Sequence, residues 1–522
     1  MKYSAIFVIK SLMTGQKTYT GIFIVAMLAL VCFANTLGGK FVYDDEFFVV
    51  NNTAIRDLRN APAFFTDGNT AVKGGSIEGD VYRPLTTLSY SIDYFLWKLN
   101  PAGYHLTNLL FHIMNSVLLL LVINILTGNL TLSLLTALFF AAHPIQTDAI
   151  TWISGRGNAL FLFFYLGAFY LFIRCFGQDK KNTGKLYALS VICGALAMLS
   201  KEMAATLPII LLAYLVYFRN EQKLCWFKKL AYTMPFFMID ALYILARSAV
   251  LGKVSQRAFW GGSLYTTFLT MSKVFVVYLK LLLAPLKLCG DYVYPVAESI
   301  AEPGVLASLA ILALLLVAAV KTYRTNKLVS FSIAWFFITL LPVSNIIPLK
   351  ILVAERFLYL PSIGFCLALA WAVTEAFRRV KGAEANSAGL SKTRIFIAVL
   401  ILVFYSGRTI IRNNDWKDDF TFWTSVIKVC PVNPKAHNNL GTHYSDLGQQ
   451  ENSEKEYRTA VQLSPNYVTP HFNLAGLYMR RQMYAEALQE LETVLRLRPE
   501  FPGARQHYDE VARYMERKGI RP

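Results

Sequence analysis

The stretch YHLTNLLFHIMNSVLLLLVINIL, residues 104–126, contains no Asp, Glu, Lys or Arg. As a helix rising about 1.5 Å per residue, it is long enough to cross the roughly 30 Å hydrocarbon core of a bilayer. Working outward, similar apolar stretches lie near residues 19–36, 130–142, 157–176, 186–200, 203–218, 231–250, 303–320, 328–343, 357–377 and 395–411. With 104–126 they predict about 11 spans and an all-α, polytopic membrane bundle. Composition agrees. The chain has 522 residues, 55% of them hydrophobic and only 16% charged, with mean hydropathy +0.42. Soluble domains carry about 25% charge. A soluble enzyme and a disordered chain are both excluded for most of the sequence.

Lys and Arg number 51 against 33 Asp and Glu, a net charge of +18. The excess falls in loops: Lys2, Lys10 and Lys17 at the start, Lys180, Lys181 and Lys185, then Arg219 to Lys229, Lys321 to Lys327, and Arg378 to Arg394. The positive-inside rule puts these in the cytoplasm. A crossing at 266–284 would turn the Lys321–Lys327 loop outward, so that segment is expected in the outer interface or as a re-entrant piece. The N-terminus is then inside, with a retained first span in place of a cleaved leader. The loop 37–103, with interfacial helices, and everything after residue 411 are outside. Membrane lipid is the expected surrounding. No basic run interleaved with aromatics points to nucleic acid. The seven cysteines form no CxxC pair, so neither a disulfide framework nor a zinc site is expected.

Composition changes after Asn413. Pro431, Pro465 and Pro499 are spaced by 34 residues, as are Asn439 and Asn473, Leu440 and Leu474, and Tyr444 and Tyr478. This is the tetratricopeptide period of helix–turn–helix units. Two repeats and a trailing helix near 503–517 are expected. The domains are then a membrane part, 1–412, and a repeat module, 413–522, whose concave face suits protein docking.

Ionisable residues gather at the outer ends of the spans, where they are costly and therefore functional candidates. Asp44, Asp45 and Glu46 follow the first span. Tyr82 and Arg83 precede Pro84, which opens an amphipathic interfacial helix. His105 lies in the next span, seven residues before His112, too far for a compact metal pair. His143, Asp148 and Arg156 join two spans. Lys201 and Glu202 occupy a turn, Arg247 sits near a span end, and Glu355 and Arg356 open another span. Guanidinium forks suit phosphate oxygens, and a nearby carboxylate suits removal of a proton from a hydroxyl. The site fits an anionic lipid head group near the membrane plane. No HExxH, GxSxG or phosphate-loop motif supports a hydrolase or nucleotidase.

These stretches, Phe41–Glu46, Tyr82–Thr86, Asn100–His105, His143–Arg156, Ser200–Glu202 and Ala354–Ser362, together with the repeats, resemble the transmembrane and tetratricopeptide-repeat O-mannosyltransferase family of the GT-C glycosyltransferase group. The resemblance implies a GT-C-like bundle and a polyprenyl-phosphate sugar donor. It also implies transfer of mannose or another hexose to Ser/Thr hydroxyls of proteins on the outer side, with inversion. An acid in the first outer loop would be the base, Asp45 in preference or Asp44. Arg356, Arg156, Lys201, Arg83 and Arg247 would hold the donor phosphate. Glu46, His143, Asp148, Glu202, Glu355, Tyr82 and His105 are further site candidates. No cofactor is required, although Asp44, Asp45 and Glu46 could hold a divalent cation. Two repeats, fewer than in eukaryotic relatives, imply a bacterial inner-membrane member with a periplasmic module that docks the acceptor protein. Transfer to a lipid or glycan, and a non-catalytic scaffold recruiting partners, are the alternatives.

Overall fold

The computed structural model describes residues 2–73, 81–177, 182–219, 225–252, 258–376 and 392–519. The expected cytoplasmic charges Lys180, Lys181, those within 220–224 and those within 377–391 lie outside these residues. Two compact units emerge: Met1–Leu288 with Pro295–Lys417, and Asp418–Pro522 with Cys289–Tyr294.

In the first unit the helices of ten residues or more are α1 (Lys2–Phe33), α2 (Pro84–Trp97), α3 (Pro101–Thr127), α4 (Leu130–Ala142), α5 (Arg156–Cys175), α6 (Thr183–Ser200), α7 (Leu207–Phe218), α8 (Trp226–Leu251), α9 (Leu264–Leu283), α10 (Pro303–Thr325), α11 (Lys327–Leu340), α12 (Ser362–Trp371) and α13 (Lys392–Asn413). Local chemistry sets their ends. Pro84 and Pro101 stand in the first turns of α2 and α3, where a missing N–H costs nothing. Asn100 caps α3 by accepting Ala102 N, and Gly128 stops it with φ +64°.

Among the described residues, eight helical segments are long and apolar enough to cross a membrane. The eleven expected spans correspond to seven of these, to the pair Leu130–Ala142 and Pro144–Ile150 bent by 51°, and to the shorter apolar helices Glu202–Phe218, Lys327–Val343 and Ser362–Glu375. The eighth long helix is α9. Its 20 residues run without a break, so a re-entrant piece at 266–284 is not what the structure contains. Length and hydropathy argue for a crossing where loop charge argued against one. The chain is an integral membrane protein.

Helix α3 packs against α1, α4 and α5; α5 packs against α6, and α12 against α4 and α11. Buried polar ties pin the segment before α12 to this bundle. His112 Nε2 faces Ala141 O at 3.1 Å and so carries the proton, leaving Nδ1 to accept from the Tyr359 hydroxyl at 2.9 Å. Asn115 Nδ2 donates to the same hydroxyl and to Ala159 O.

The second unit contains α14 (Asp419–Val429), α15 (Pro434–Asp446), α16 (Gln450–Leu463), α17 (Val468–Arg480), α18 (Tyr484–Leu497) and α19 (Ala504–Lys518). The pairs α15/α16 and α17/α18 are the two repeats, packed on Tyr457, Leu474, Leu477, Tyr478 and Ala487. A 34-residue echo also ties their helices. His437 meets Glu456 at 2.6 Å and Pro431 O at 3.0 Å, while His471 meets Glu490 and Pro465 O. Both ring nitrogens face acceptors, so the imidazolium fits best, and the Glu hydrogen bond raises each pKa above the usual histidine value. Residues 289–294 are built into this unit. Asp291 O accepts Asn433 Nδ2 at 3.0 Å, and its carboxylate pairs with Lys435 at 3.3 Å. Gly290 packs so tightly on Phe422 that a Cβ would lie 2.2 Å from the ring.

Candidate functional site

Residues Val42–Asp45 form a turn closed twice. Asp45 N donates to Val42 O at 3.1 Å, and Val42 N donates back to Asp45 Oδ2 at 2.9 Å. Inside the turn Tyr43 takes φ +61°, a left-handed conformation unfavourable for a bulky residue and costing on the order of 1–3 kcal/mol. Its ring lies 5.5 Å from that of Trp152. Trp152 Nε1 donates to Val42 O at 3.3 Å, and Ser154 donates to Asp45 Oδ1 from its N–H at 2.8 Å and from its hydroxyl. Asp45 is 1% exposed. Burial pushes its carboxyl up to about 7, against the downward pull of the Ser154 and Val42 hydrogen bonds, with a small upward contribution from Asp44. Asp44 is half-buried at the third position of the turn, its carbonyl accepting Phe47 N and Phe48 N. Glu46 is exposed and accepts Asn51 Nδ2 at 2.9 Å.

The partner loop lies between α4 and α5. It needs Gly155, because a Cβ there would sit 2.5 Å from Ala149 O. Asp148, fully buried, accepts Arg356 N at 2.9 Å and the Arg356 guanidinium at 3.2 Å. That guanidinium lies over the Trp152 ring, 5.0 Å from its centroid, and Trp152 stacks on Trp416 at 5.8 Å. Lys201 is 4% exposed and donates to Asn158 Oδ1. Burial brings its pKa down to about 7. Arg83 and Arg356 add to the fall, while Glu202 and Asp148 oppose it, so Lys201 lies in the field of both ion pairs. Arg83 is bidentate to Glu202, with Nε at 3.0 Å. Each pair is internally compensated, and Lys201 adds a further positive charge.

The other candidates have different positions. Arg156 is fully buried, held by Asp93 at 2.6 Å, Tyr104 O at 2.9 Å and Asn108, beneath Tyr90. Its donors are taken by protein, which separates it from the cations around Lys201. His143 accepts Ile145 N and faces Leu282 O at 3.0 Å, capping a short turn. His105 is buried in α3 beside Gly39. Glu355 is buried 3.7 Å from Arg412. Tyr82 donates to Phe65 O and its own carbonyl accepts the Tyr243 hydroxyl, while Arg247 is half-buried on α8. Sequence reasoning missed Ser154 as a ligand of Asp45 and Trp416 as a second face for Trp152. Neither has a spacing signal, because both contacts join segments remote in sequence.

Among the described residues no three His, Cys, Asp or Glu side chains converge as a metal site. The acidic triplet fits a divalent ion poorly on its own geometry: Asp45 has both oxygens occupied and Glu46 turns to Asn51. In the repeat unit a groove of about 440 Å³ is lined by Tyr457, Phe472, Asn473, Met479, Arg480 and Leu491, among others.

Residues 434–467 match the tetratricopeptide repeat model. Over 509 residues the chain is 28% identical to the human protein O-mannosyl-transferase TMTC3, covering 90% of this chain and 54% of that protein. It is 27% identical to the mouse protein O-mannosyl-transferase TMTC4, covering 83% and 65%, and 26% identical to the Caenorhabditis elegans protein O-mannosyl-transferase F38B6.6, covering 85% and 63%. The chain thus spans between about half and two thirds of the length of these relatives. Two solved structures are similar to it. One is the Archaeoglobus fulgidus oligosaccharyltransferase tethered to an acceptor peptide (TM-score 0.45, 15% identity, 77% of this chain and 55% of that one). The other is ArnT from Cupriavidus metallidurans bound to undecaprenyl phosphate (TM-score 0.41, 12% identity, 82% and 79%). Over most of its length, then, this chain, with its membrane helices and tetratricopeptide repeats, is similar to protein O-mannosyl-transferases.

Proposed function

We propose that the chain is a membrane glycosyltransferase that moves mannose or another hexose from a polyprenyl-phosphate donor to Ser/Thr hydroxyls of proteins. The reaction faces the non-cytoplasmic side, in a bacterial inner membrane with the N-terminus cytoplasmic and the repeat unit periplasmic. One observation carries this reading: the loop 148–154 grips both the acidic turn 42–45 and the guanidinium of Arg356. A base and a phosphate holder are thereby kept in one site. The relatives' names favour mannose as sugar and protein as acceptor.

Asp44 is the base in this reading: it is the more exposed carboxylate of the turn, whereas Asp45 is buried and accepts three protein donors. The Asp44 carboxylate takes the proton of the acceptor hydroxyl as its oxygen attacks the anomeric carbon. The bond from that carbon to the phosphate oxygen breaks, configuration inverts, and polyprenyl phosphate departs with the bonding pair. Lys201 and Arg356 stabilise the charge growing on that phosphate. Lys201 gains most from an anion, being a buried cation with one neutral hydrogen-bond partner. No step needs a metal, since the leaving phosphate is already anionic. The groove of the repeat unit holds the acceptor chain.

The test is transfer in liposomes containing the full-length protein, a polyprenyl-phosphate-linked radiolabelled mannose and a Ser/Thr-rich peptide. Label on the peptide, released by β-elimination, is the expected result. Label that reaches only lipid, or only water, contradicts the reading.

A further inference from the structure

The turn that carries Asp44 is not held by its own sequence alone. Tyr43 is in an unfavourable left-handed conformation, and such strain persists only where the surroundings over-determine it. Here the surroundings are three contacts from one loop: the Trp152 ring against Tyr43, the Trp152 N–H on Val42 O, and the Ser154 N–H and O–H on Asp45 Oδ1. The opposite carboxylate oxygen, Oδ2, closes the turn on Val42 N. Asp45 therefore links Ser154 on one side to the backbone that places Asp44 on the other. The same loop reaches Arg356 through the Trp152 face and through Asp148.

We infer that Ser154, acting through Asp45, is a positioning residue: it holds the Asp44 turn at a set distance from Arg356, so that base and phosphate holder move as one body. This rests on the glycosyl-transfer reading above. A displacement of about 1 Å in such a pair can cost about a hundredfold in rate. The device also has a pH signature. Ionised Asp45 accepts all three donors. A protonated carboxyl is a weaker acceptor, because its hydrogen bonds are no longer charge-assisted, so the contacts that close the turn weaken and the turn loosens. Among the described residues, Asp44 in the same turn and Tyr90 from α2 are titratable groups that interact with Asp45. The Ser154 hydrogen bonds lower the Asp45 pKa, so removing the hydroxyl moves it further up.

The experiment compares Ser154→Ala, Ser154→Thr and Asp44→Asn with wild type in the liposome assay, from pH 5 to 9. For Ser154→Ala the expected result is a fall of about tenfold in kcat with donor KM within about twofold. The acid limb of the rate profile should also move to higher pH, and Ser154→Thr should restore both. An unmoved limb, or a loss that merely follows the amount of folded protein by thermal unfolding in detergent, overturns the positioning role. Asp44→Asn separates the two ideas. If it is inactive while the Ser154→Ala limb stays in place, only the positioning inference fails. If it transfers sugar at the wild-type rate, the base assignment fails. Trp152→Phe is an independent check that keeps the ring contacts and removes one N–H. It should lower kcat by less than Ser154→Ala, and a larger fall would show that the Trp152 N–H, and not Ser154, holds the turn.

Discussion

Arg156 and Arg356 look alike in the sequence, each near an acid at the outer end of a span, yet they end in opposite situations. Arg156 is completely inside the protein, with Asp93, Asn108 and the Tyr104 carbonyl around its guanidinium. Arg356 retains 9% exposure, rests on the Trp152 face, and neighbours Lys201. The difference lies in what surrounds each fork. One is saturated by fixed acceptors and stabilises the helix contacts α2–α3–α5. The other pairs with the buried Asp148 carboxylate and lies over the face of Trp152. Two arginines in similar sequence settings thus differ in their surroundings, and only the partners, not the spacing, tell them apart.

The largest effect that sharpens this contrast is on folding. Arg156→Met leaves Asp93 buried without its counter-ion, and a broken buried pair costs about 3–5 kcal/mol. Thermal unfolding in detergent should drop strongly, with little folded protein left to assay. If Arg156→Met folds normally and loses only transfer, the two arginines are not different in kind. Next comes Arg356→Lys, which keeps the charge but not the fork. Transfer should fall by about a hundredfold while the unfolding temperature changes much less than for Arg156→Met. Equal losses of stability in the two variants would break the comparison from the other side.

A smaller effect concerns pH. The pKa of Lys201 is depressed to about 7 in the free protein, so its charge is present below that pH and lost above it. Donor binding, read as KM for the lipid-linked sugar, should weaken by up to about tenfold per pH unit above 7. In Lys201→Met this limb should vanish, and a limb that survives the substitution contradicts the assignment. The smallest effect extends the contrast to the repeats, where His437 and His471 are consumed cations. Their folded pKa values are raised by Glu456 and Glu490. The stability they contribute is full below the unfolded histidine value near 6.5 and is lost as pH rises through the higher folded value. Hydrogen exchange in 434–497 should therefore be slower at pH 6 than at pH 8 after correction for intrinsic rates. His437→Gln with His471→Gln should remove that difference.

Much of the architecture was legible before the fold was known. The apolar stretches became helices, and the 34-residue period became two helix pairs. The same period also carries His437/His471 and Glu456/Glu490, a polar signal visible in the sequence beside the apolar one. At α9 loop charge and length point in opposite directions: the charge favours a place outside the bilayer core, while its 20 unbroken residues suffice for a crossing. At the site, residue types and approximate location could be read, but not who binds whom. Asp93 meets Arg156, and Ser154 meets Asp45, across long intervals of chain with no shared periodicity. The resemblance favours Asp45 over Asp44 as base, and sequence carries no sign of the three donors that surround Asp45 in the fold. Two adjacent acids are chemically alike until a turn buries one of them.

In the proposed mechanism Asp44 is the reactive carboxylate and Asp45 its support. Asp44→Asn and Asp45→Asn, each reconstituted with lipid-linked mannose and peptide, give the direct measurement. Asp44→Asn should fall to background, a loss of about a hundredfold or more, while Asp45→Asn retains measurable transfer with a changed acid limb. Wild-type transfer by Asp44→Asn, with Asp45→Asn inactive though folded, would contradict it.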